Sequence, residues 1–324
     1  MKFKKLGKTD ISVSVIGAGT WGIGGTWWSG TDVKESVETI QTSIEQGINF
    51  IDTAPAYGYG VSEEIIGKAI EGQRDKVVLA TKCGLVWNTT EGFFHFEHNG
   101  VKLHRYLGEE SIRKELEGSL KLLKTDYIDL YITHWQDPTT PVEVTMGVLM
   151  NLKKEGKIRA IGVSNASLDD MNEYARHGQL DANQEKFNLL ENSADKQYIP
   201  WCVENNATFL AYSAIAQGLL TGAIDPEAKY NSDDIRSMNA LYGRETVIKI
   251  NAMLKNHFTP MAQKYNCSLT QLAIASVASM QNVIALCGAR NSREAIENAK
   301  AGDIVISDDD LSKLKNTVQE NLGF

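Results

Sequence analysis

The sequence predicts a closed (β/α)8 barrel, a TIM barrel with long active-site loops, built as one domain over residues 1–324. Three observations point there. Short apolar runs alternate with amphipathic stretches along the chain, the pattern of successive βα units and a parallel sheet. Eight such apolar runs are present, the number a closed barrel requires. No Pro- or Ser-rich spacer, long charge run or repeat divides the chain, and α/β barrels of this length commonly form one domain.

The candidate strands are Val13–Gly17, Ile48–Ile51, Val77–Ala80, Tyr127–Thr133, Ile158–Val163, Asp181–Gln184, Thr208–Ala211 and Val283–Leu286. Between the first two, Val33, Val37, Ile40 and Ile44 fall at helical spacing. Asp32 with Glu35 resembles a capping box at the start of that helix, and Gly47 is placed to stop it. Ile112, Leu116, Leu120 and Leu123 repeat the scheme before the fourth strand. Lys2–Leu6 and Ile11–Ser14 are expected to pair as a hairpin under the barrel floor. Asp308-Asp309-Asp310 reads as the charged start of a last helix. An open, doubly wound sheet is the structural alternative. Its dinucleotide fingerprint would follow the first strand, but Gly17-Ala18-Gly19-Thr20-Trp21-Gly22 lacks the GxGxxG spacing. Two long loops, about Gly84 to Gly108 and Ser213 to Glu245, would sit over the mouth, where long loops tend to be functional.

Composition narrows the function classes. Hydrophobic residues at 42% and charged residues at 23% describe a folded, core-forming chain. A net charge of −8 disfavours general binding to nucleic acid or anionic membrane, while leaving room for a local basic pocket. No apolar run reaches the roughly 18 residues of a membrane span, and Met1–Gly7 has no signal-peptide pattern. A soluble, cytoplasmic protein is therefore expected. Cys83, Cys202, Cys267 and Cys287 lack metal-ligand spacing and read as reduced thiols. Cys83, beside Lys82, is expected to be a packing residue. His95, His98 and His104 lack a third well-spaced ligand, so no metal is expected and a solvated loop is the plainer reading.

The informative feature is positional. Polar residues gather at the C-terminal ends of the candidate strands: Asp52 and Tyr57, Lys82, His134, Ser164-Asn165, Gln184, Tyr212-Ser213 and Gly288-Ala289-Arg290. Any one alone would pass for a helix cap, a turn or a surface residue. If the barrel closes, the series meets at one mouth, where barrel active sites lie.

Here the chain resembles the aldo-keto reductases, over about Leu6 to Asn298. The resemblance rests on Ile51-Asp52-Thr53-Ala54-Pro55-Ala56-Tyr57-Gly58, Thr81-Lys82, Asp129–Trp135, Lys157–Asn165, Ala211–Gly222 and Gly288-Ala289-Arg290. Gly19–Gly25 looks most like the bacterial branch that includes general-stress and inositol-locus reductases. The resemblance implies NADPH-dependent reduction of aldehydes or ketones, or the reverse oxidation of alcohols or sugars. It assigns catalysis to Asp52, Tyr57, Lys82 and His134. Carbonyl reduction builds negative charge on an oxygen that an acid must then protonate. On this reading Tyr57 would be that acid, Lys82 would lower its pKa, Asp52 would hold Lys82, and His134 would orient the substrate oxygen or share the proton. A Lys ammonium at ~4 Å contributes on the order of 4 kcal/mol at an effective dielectric near 20, comparable with the roughly three pKa units between a free Tyr and neutrality.

For the cofactor, the resemblance assigns Ser164, Asn165 and Gln184 to the nicotinamide carboxamide and Tyr212 to stacking on the ring. Ser213, Ala214, Ile215, Gln217, Gly218 and Leu219 would wrap the pyrophosphate. Gly288, Ala289, Arg290, Ser292, Glu294 and Asn298 would meet the adenosine end, with Arg290 and Ser292 on a 2′-phosphate. Three positions depart from the family's usual residues. Glu294 stands for Gln and would repel a 2′-phosphate, which keeps NADH in play behind NADPH. Ala214 stands for Pro and Phe187 for Tyr. Trp21, Trp87 and Trp135 are candidate substrate walls, with Trp27 and Trp28 divided between wall and packing. Two other readings compete: a Schiff-base lyase using Lys82, and a non-catalytic, cofactor-sensing channel subunit of the kind some family members form. The only other partner expected is a small carbonyl or sugar; oligomeric state is left open.

Overall fold

In a computed structural model of the chain, which describes residues 1–25, 30–232 and 234–323, eight parallel strands close into a barrel. The chain opens with an antiparallel hairpin of β1 (Phe3–Lys5) and β2 (Ser12–Ser14). Barrel strands β3 (Ile16–Gly19), β4 (Phe50–Asp52) and β5 (Val78–Cys83) follow. A small antiparallel sheet of β6 (Leu85–Val86), β7 (Phe93–His98) and β8 (Val101–Arg105) then interrupts them. The barrel resumes with β9 (Ile128–Thr133), β10 (Ile158–Ser164), β11 (Ala182–Lys186), β12 (Thr208–Tyr212) and β13 (Val283–Cys287). It closes where β13 pairs with β3, Ala285 opposite Ile16.

Helices α1 (Val33–Glu45), α2 (Val61–Ala69), α3 (Glu109–Leu123), α4 (Val142–Lys154), α5 (Leu168–His177) and α6 (Tyr198–Glu204) lie in the connections up to β12. Before β13 come α7 (Arg244–Met253), α8 (Thr259–Lys264) and α9 (Leu269–Ala278), the first two joined by a π turn at Leu254–Phe258. Helices α10 (Ser292–Lys300) and α11 (Asp308–Leu322) end the chain. Asp32 caps α1 by accepting from the Glu35 N–H, one half of the expected capping box. Ser307, just ahead of the three aspartates, caps α11. Among the described residues no helix is long and apolar enough to cross a membrane.

Strand alternation decides what fills the barrel. Successive side chains point to opposite faces, so Phe50, Val78, Ala80, Leu130, Ile132, Ala160, Ala182, Leu210, Ile284 and Leu286 share one buried interior cluster. Leu6, Ile11 and Val13 of the hairpin join it from below, as a floor. The interior leaves no room for a side chain at Gly17, where a Cβ would lie 2.6 Å from Leu286 Cδ2 and 2.8 Å from Phe50 Cδ1. The opposite faces (Ile51, Leu79, Tyr131, Ile161, Phe209 and Val283) pack against the helices.

Two expectations need correction. The run Val13–Gly17 is two elements: Val13 belongs to the hairpin and the barrel strand starts at Ile16. Ser14 makes the break, its hydroxyl donating to the Ile16 carbonyl and its N–H to Asn49 Oδ1. The stretch from Gly84 to Gly108 is no open loop but holds the β6–β8 sheet, so His95, His98 and His104 lie on paired strands and His104 is buried. Asn99 and Gly100, both at positive φ, turn β7 into β8.

Candidate active site

The parity that packs the barrel also builds its mouth. Two residues beyond each interior hydrocarbon comes a polar group: Asp52 after Phe50, Lys82 after Ala80 and His134 after Ile132. Likewise Gln184 follows Ala182, and Tyr212 follows Leu210. Tyr57 comes from the turn after β4, which is knitted by Tyr57 N–H to Ala54 O and Gly60 N–H to Pro55 O. Gly24 and Gly58 seat that turn, for a Cβ on Gly58 would come within 2.1 Å of the Gly24 carbonyl oxygen.

Lys82 is fully buried and held three ways. Its Nζ donates to both Asp52 oxygens at 2.9 Å and to the Thr53 carbonyl at 2.8 Å. Asp52 Oδ1 also accepts from Gln184 Nε2 at 2.8 Å. The Lys82 Nζ lies 4.9 Å from the Tyr57 ring centre. The His134 ring stands edge-on to Tyr57, centroids 5.7 Å apart. Four groups distant in sequence therefore meet.

Their electrostatics differ from the expectation in one respect. Burial, followed by the Asp52 charge, holds the Tyr57 hydroxyl well above its ordinary pKa. The Lys82 ammonium, bound to both Asp52 oxygens, does not offset these two effects. Burial pulls Lys82 down while Asp52 and Glu63 push it back. Burial, then the Lys82 and His95 charges, hold His134 well below the usual imidazole range. The mouth thus presents a protonated phenol and a neutral imidazole.

The remaining candidates fall along one rim. The Ser164 hydroxyl donates to the Gln184 carbonyl at 3.0 Å. Asn165, at φ 53°, donates to the His134 carbonyl and to Ser164 Oγ, and its Oδ1 accepts from the Tyr212 hydroxyl at 2.9 Å. Beyond Tyr212, Ser213, Ala216, Gln217 and Gly218 all have positive φ, a cluster of strain typical of ligand-holding backbone. Ala214 and Leu219 are buried, so there only backbone faces the mouth. The Tyr242 hydroxyl donates to the Gln217 carbonyl at 2.6 Å, tying the long loop to this turn.

At the far end, Arg290 is exposed, and Glu294 accepts from its backbone N–H at 2.9 Å and faces its guanidinium at 3.4 Å. Ser292 is paired with Thr42, and the Asn298 amide braces the Gly288 carbonyl. Of the tryptophans, Trp21 lies on a 3-10 turn, Trp87 packs on Tyr59 and Trp135 on His95. Trp27 and Trp28 lie outside the described residues. Cys83 is buried and its thiol is pushed up by burial; no metal-binding cluster occurs among the described residues.

Sequence reasoning missed the carboxyls behind the mouth. Glu63 accepts from Thr81, on the outer face of the Lys82 strand, at 2.6 Å. Glu115 accepts from the Gly84 N–H at 3.0 Å and from Ser111. Burial raises Glu63 to about 7 and Glu115 to about 8. The folded state keeps protons that the unfolded chain sheds above the ordinary carboxyl pKa, so stability should fall as pH rises from about 5 to about 8. Urea unfolding across that range should show the decline. Glu115→Gln should flatten it, and an unchanged slope in that variant would remove Glu115 as its source.

The fold and these juxtapositions define a barrel oxidoreductase, and the comparison with known proteins agrees: the chain belongs to the aldo/keto reductase family, whose model matches residues 15–319. It is 38% identical to the NADH-specific methylglyoxal reductase of Escherichia coli, over 98% of this chain and 99% of that protein. The glycerol dehydrogenase of Gluconobacter oxydans superposes with a TM-score of 0.90 at 33% identity, covering 99% of this chain and 96% of that one. A Klebsiella pneumoniae aldo/keto reductase solved with NADP and acetate gives 0.73 at 28% identity, covering 97% and 94%.

Proposed function

We propose that the chain reduces small aldehydes or ketones with NADPH, accepting NADH less readily, and that Tyr57 is the general acid. The observation that carries this reading is the buried Asp52–Lys82 pair set beside a Tyr57–His134 couple. Neither the Tyr57 hydroxyl nor the His134 ring has a hydrogen-bond partner among the described residues. Two polar heads left unsatisfied beside each other suit an oxygen bound between them.

The donor set fits a nicotinamide dinucleotide. Ser164, Asn165 and Gln184 offer an amide both donors and acceptors, Tyr212 offers a ring face, and the turn from Ser213 to Gly218, with four residues at positive φ, offers backbone to a pyrophosphate. Arg290, ahead of the α10 N-terminus, suits a 2′-phosphate. When bound, the nicotinamide supplies the hydride. Tyr57 then gives its proton to the carbonyl oxygen as charge builds there. The neutral His134 ring orients that oxygen, and Lys82 steadies the phenolate that is left. Because burial keeps Tyr57 protonated, the resting site is ready for reduction, whereas alcohol oxidation needs the phenolate and should favour alkaline pH. The lyase reading is disfavoured by Lys82 itself, since an ammonium held by three acceptors within 2.9 Å offers no lone pair to a carbonyl.

The substrates named for two relatives, methylglyoxal and glycerol, make small oxygenated carbonyls and alcohols the first compounds to try. The test is loss of reduced-nicotinamide absorbance with such carbonyls. Cofactor binding without turnover on any of them would overturn the reading and favour the sensing role.

Cofactor choice has its own test. Glu294 sets a carboxylate against Arg290, at a cost of roughly 1 kcal/mol to a nearby phosphate, about fivefold in Kd. Glu294→Gln should therefore tighten NADPH about fivefold and move NADH less than twofold, by fluorescence titration. Equal changes for both cofactors would remove the 2′-phosphate from this end.

A further inference from the structure

The chemistry above leaves the His95 imidazole unused. In the β7–β8 pair, Phe94 faces His104 and Phe96 faces Leu103, so two steps along β7 oppose one along β8. His95 is the extra residue of a β-bulge. Such a residue is released from the ladder and its side chain is re-aimed, a device common beside active sites. Here the bulge brings the His95 ring to 4.7 Å from the Trp135 ring. Trp135 directly follows His134, whose own ring meets Tyr57. The β6–β8 sheet thus sets a second imidazole against the residue next to His134.

Packing on Trp135 would be served equally well by Phe. His95 is only half-buried, and neither ring nitrogen has a hydrogen-bond partner among the described residues. A neutral imidazole offers one donor and one acceptor. Burial and the Arg105 charge lower His95 to about 4, so it is neutral at ordinary pH. A charge on His95 is among the effects that hold His134 down, which sets the two rings in one electrostatic neighbourhood.

We propose that His95 is a specificity-determining residue that hydrogen-bonds a second oxygen of the substrate, on the carbon next to the reacting carbonyl. The preferred substrates are then α-hydroxy and α-oxo carbonyls rather than unsubstituted aldehydes. This rests on the reading of the mouth as a carbonyl-reducing site.

Lactaldehyde and propanal differ by one hydroxyl at that carbon, and kcat and KM for both separate the possibilities. The wild-type chain should prefer lactaldehyde. His95→Phe, which keeps an aromatic ring against Trp135, should lower the lactaldehyde-to-propanal ratio of kcat/KM about tenfold, the worth of one good hydrogen bond. The change should fall mainly on the KM for lactaldehyde. His95→Gln, which keeps a donor and an acceptor, should recover most of the ratio. Turnover of both aldehydes with an unchanged ratio in His95→Phe, or an equal loss on both, overturns the role of His95 alone. Turnover of neither aldehyde by the wild-type chain overturns the reductase reading and this inference with it.

Discussion

Tyr57→Phe should lower kcat by about 10²–10⁴, the range general acid catalysis contributes, while cofactor affinity stays within about twofold. The phenyl ring retains the edge contact with His134 and the position over Lys82 Nζ. What goes is the hydroxyl beside His134, placed to give a proton. Steady-state turnover of an aldehyde, with Kd for the cofactor from fluorescence, separates the two effects. Near-normal turnover in this variant would strip Tyr57 of the acid role and pass it to His134.

Lys82→Met should cost nearly as much turnover and, unlike Tyr57→Phe, should also loosen the fold. The ammonium is the partner of a buried carboxylate, and removing one member of such a pair typically costs 3–5 kcal/mol. Asp52 would keep a single bond, from Gln184 Nε2, while the Thr53 carbonyl would lose its donor. The expected result is a melting temperature lower by several degrees together with a kcat reduced by about 10² or more. Adding Asp52→Asn to Lys82→Met should restore much of the stability, because no charge is then left buried alone, and should restore none of the activity. Recovery of turnover in the double variant would mean that Lys82 matters only as a structural counterion.

The barrel was legible because its signals are local and repeated. Apolar runs such as Tyr127–Thr133 and helical stripes such as Ile112-Leu116-Leu120-Leu123 each carry their own periodicity, and the eight expected strands appear with ends shifted by only a few residues. Asp52, Lys82 and His134 were legible for the same reason, since each extends an interior-facing alternation into polar territory. The β6–β8 sheet was not read, although Asn99-Gly100 between aromatic and apolar runs is a strong hairpin signal. The three nearby histidines read instead as part of a solvated loop. The Tyr57 pKa was not legible, because a lysine's effect depends on what else it touches, and the contact with both Asp52 oxygens is a three-dimensional fact. Glu63 and Glu115 carry no mark of burial in sequence, as each lies beside a charged residue that faces water, Glu64 and Lys114.

The alternation inside the barrel also separates two kinds of tolerance along its axis. The lower storeys are hydrocarbon, closed by Leu6, Ile11 and Val13, and the top storey holds Asp52, Lys82, Gln184 and Tyr212. Trimming Leu130 or Ile284 should therefore weaken the scaffold while leaving its acid–base behaviour intact. Inserting a single residue into β5 between Val78 and Lys82 would do the reverse of a quiet change. It would swing the ammonium to the helix side and strand the Asp52 charge. The molecule can vary its mouth one strand at a time, but only by exchange of side chains, never by lengthening the staves that carry them.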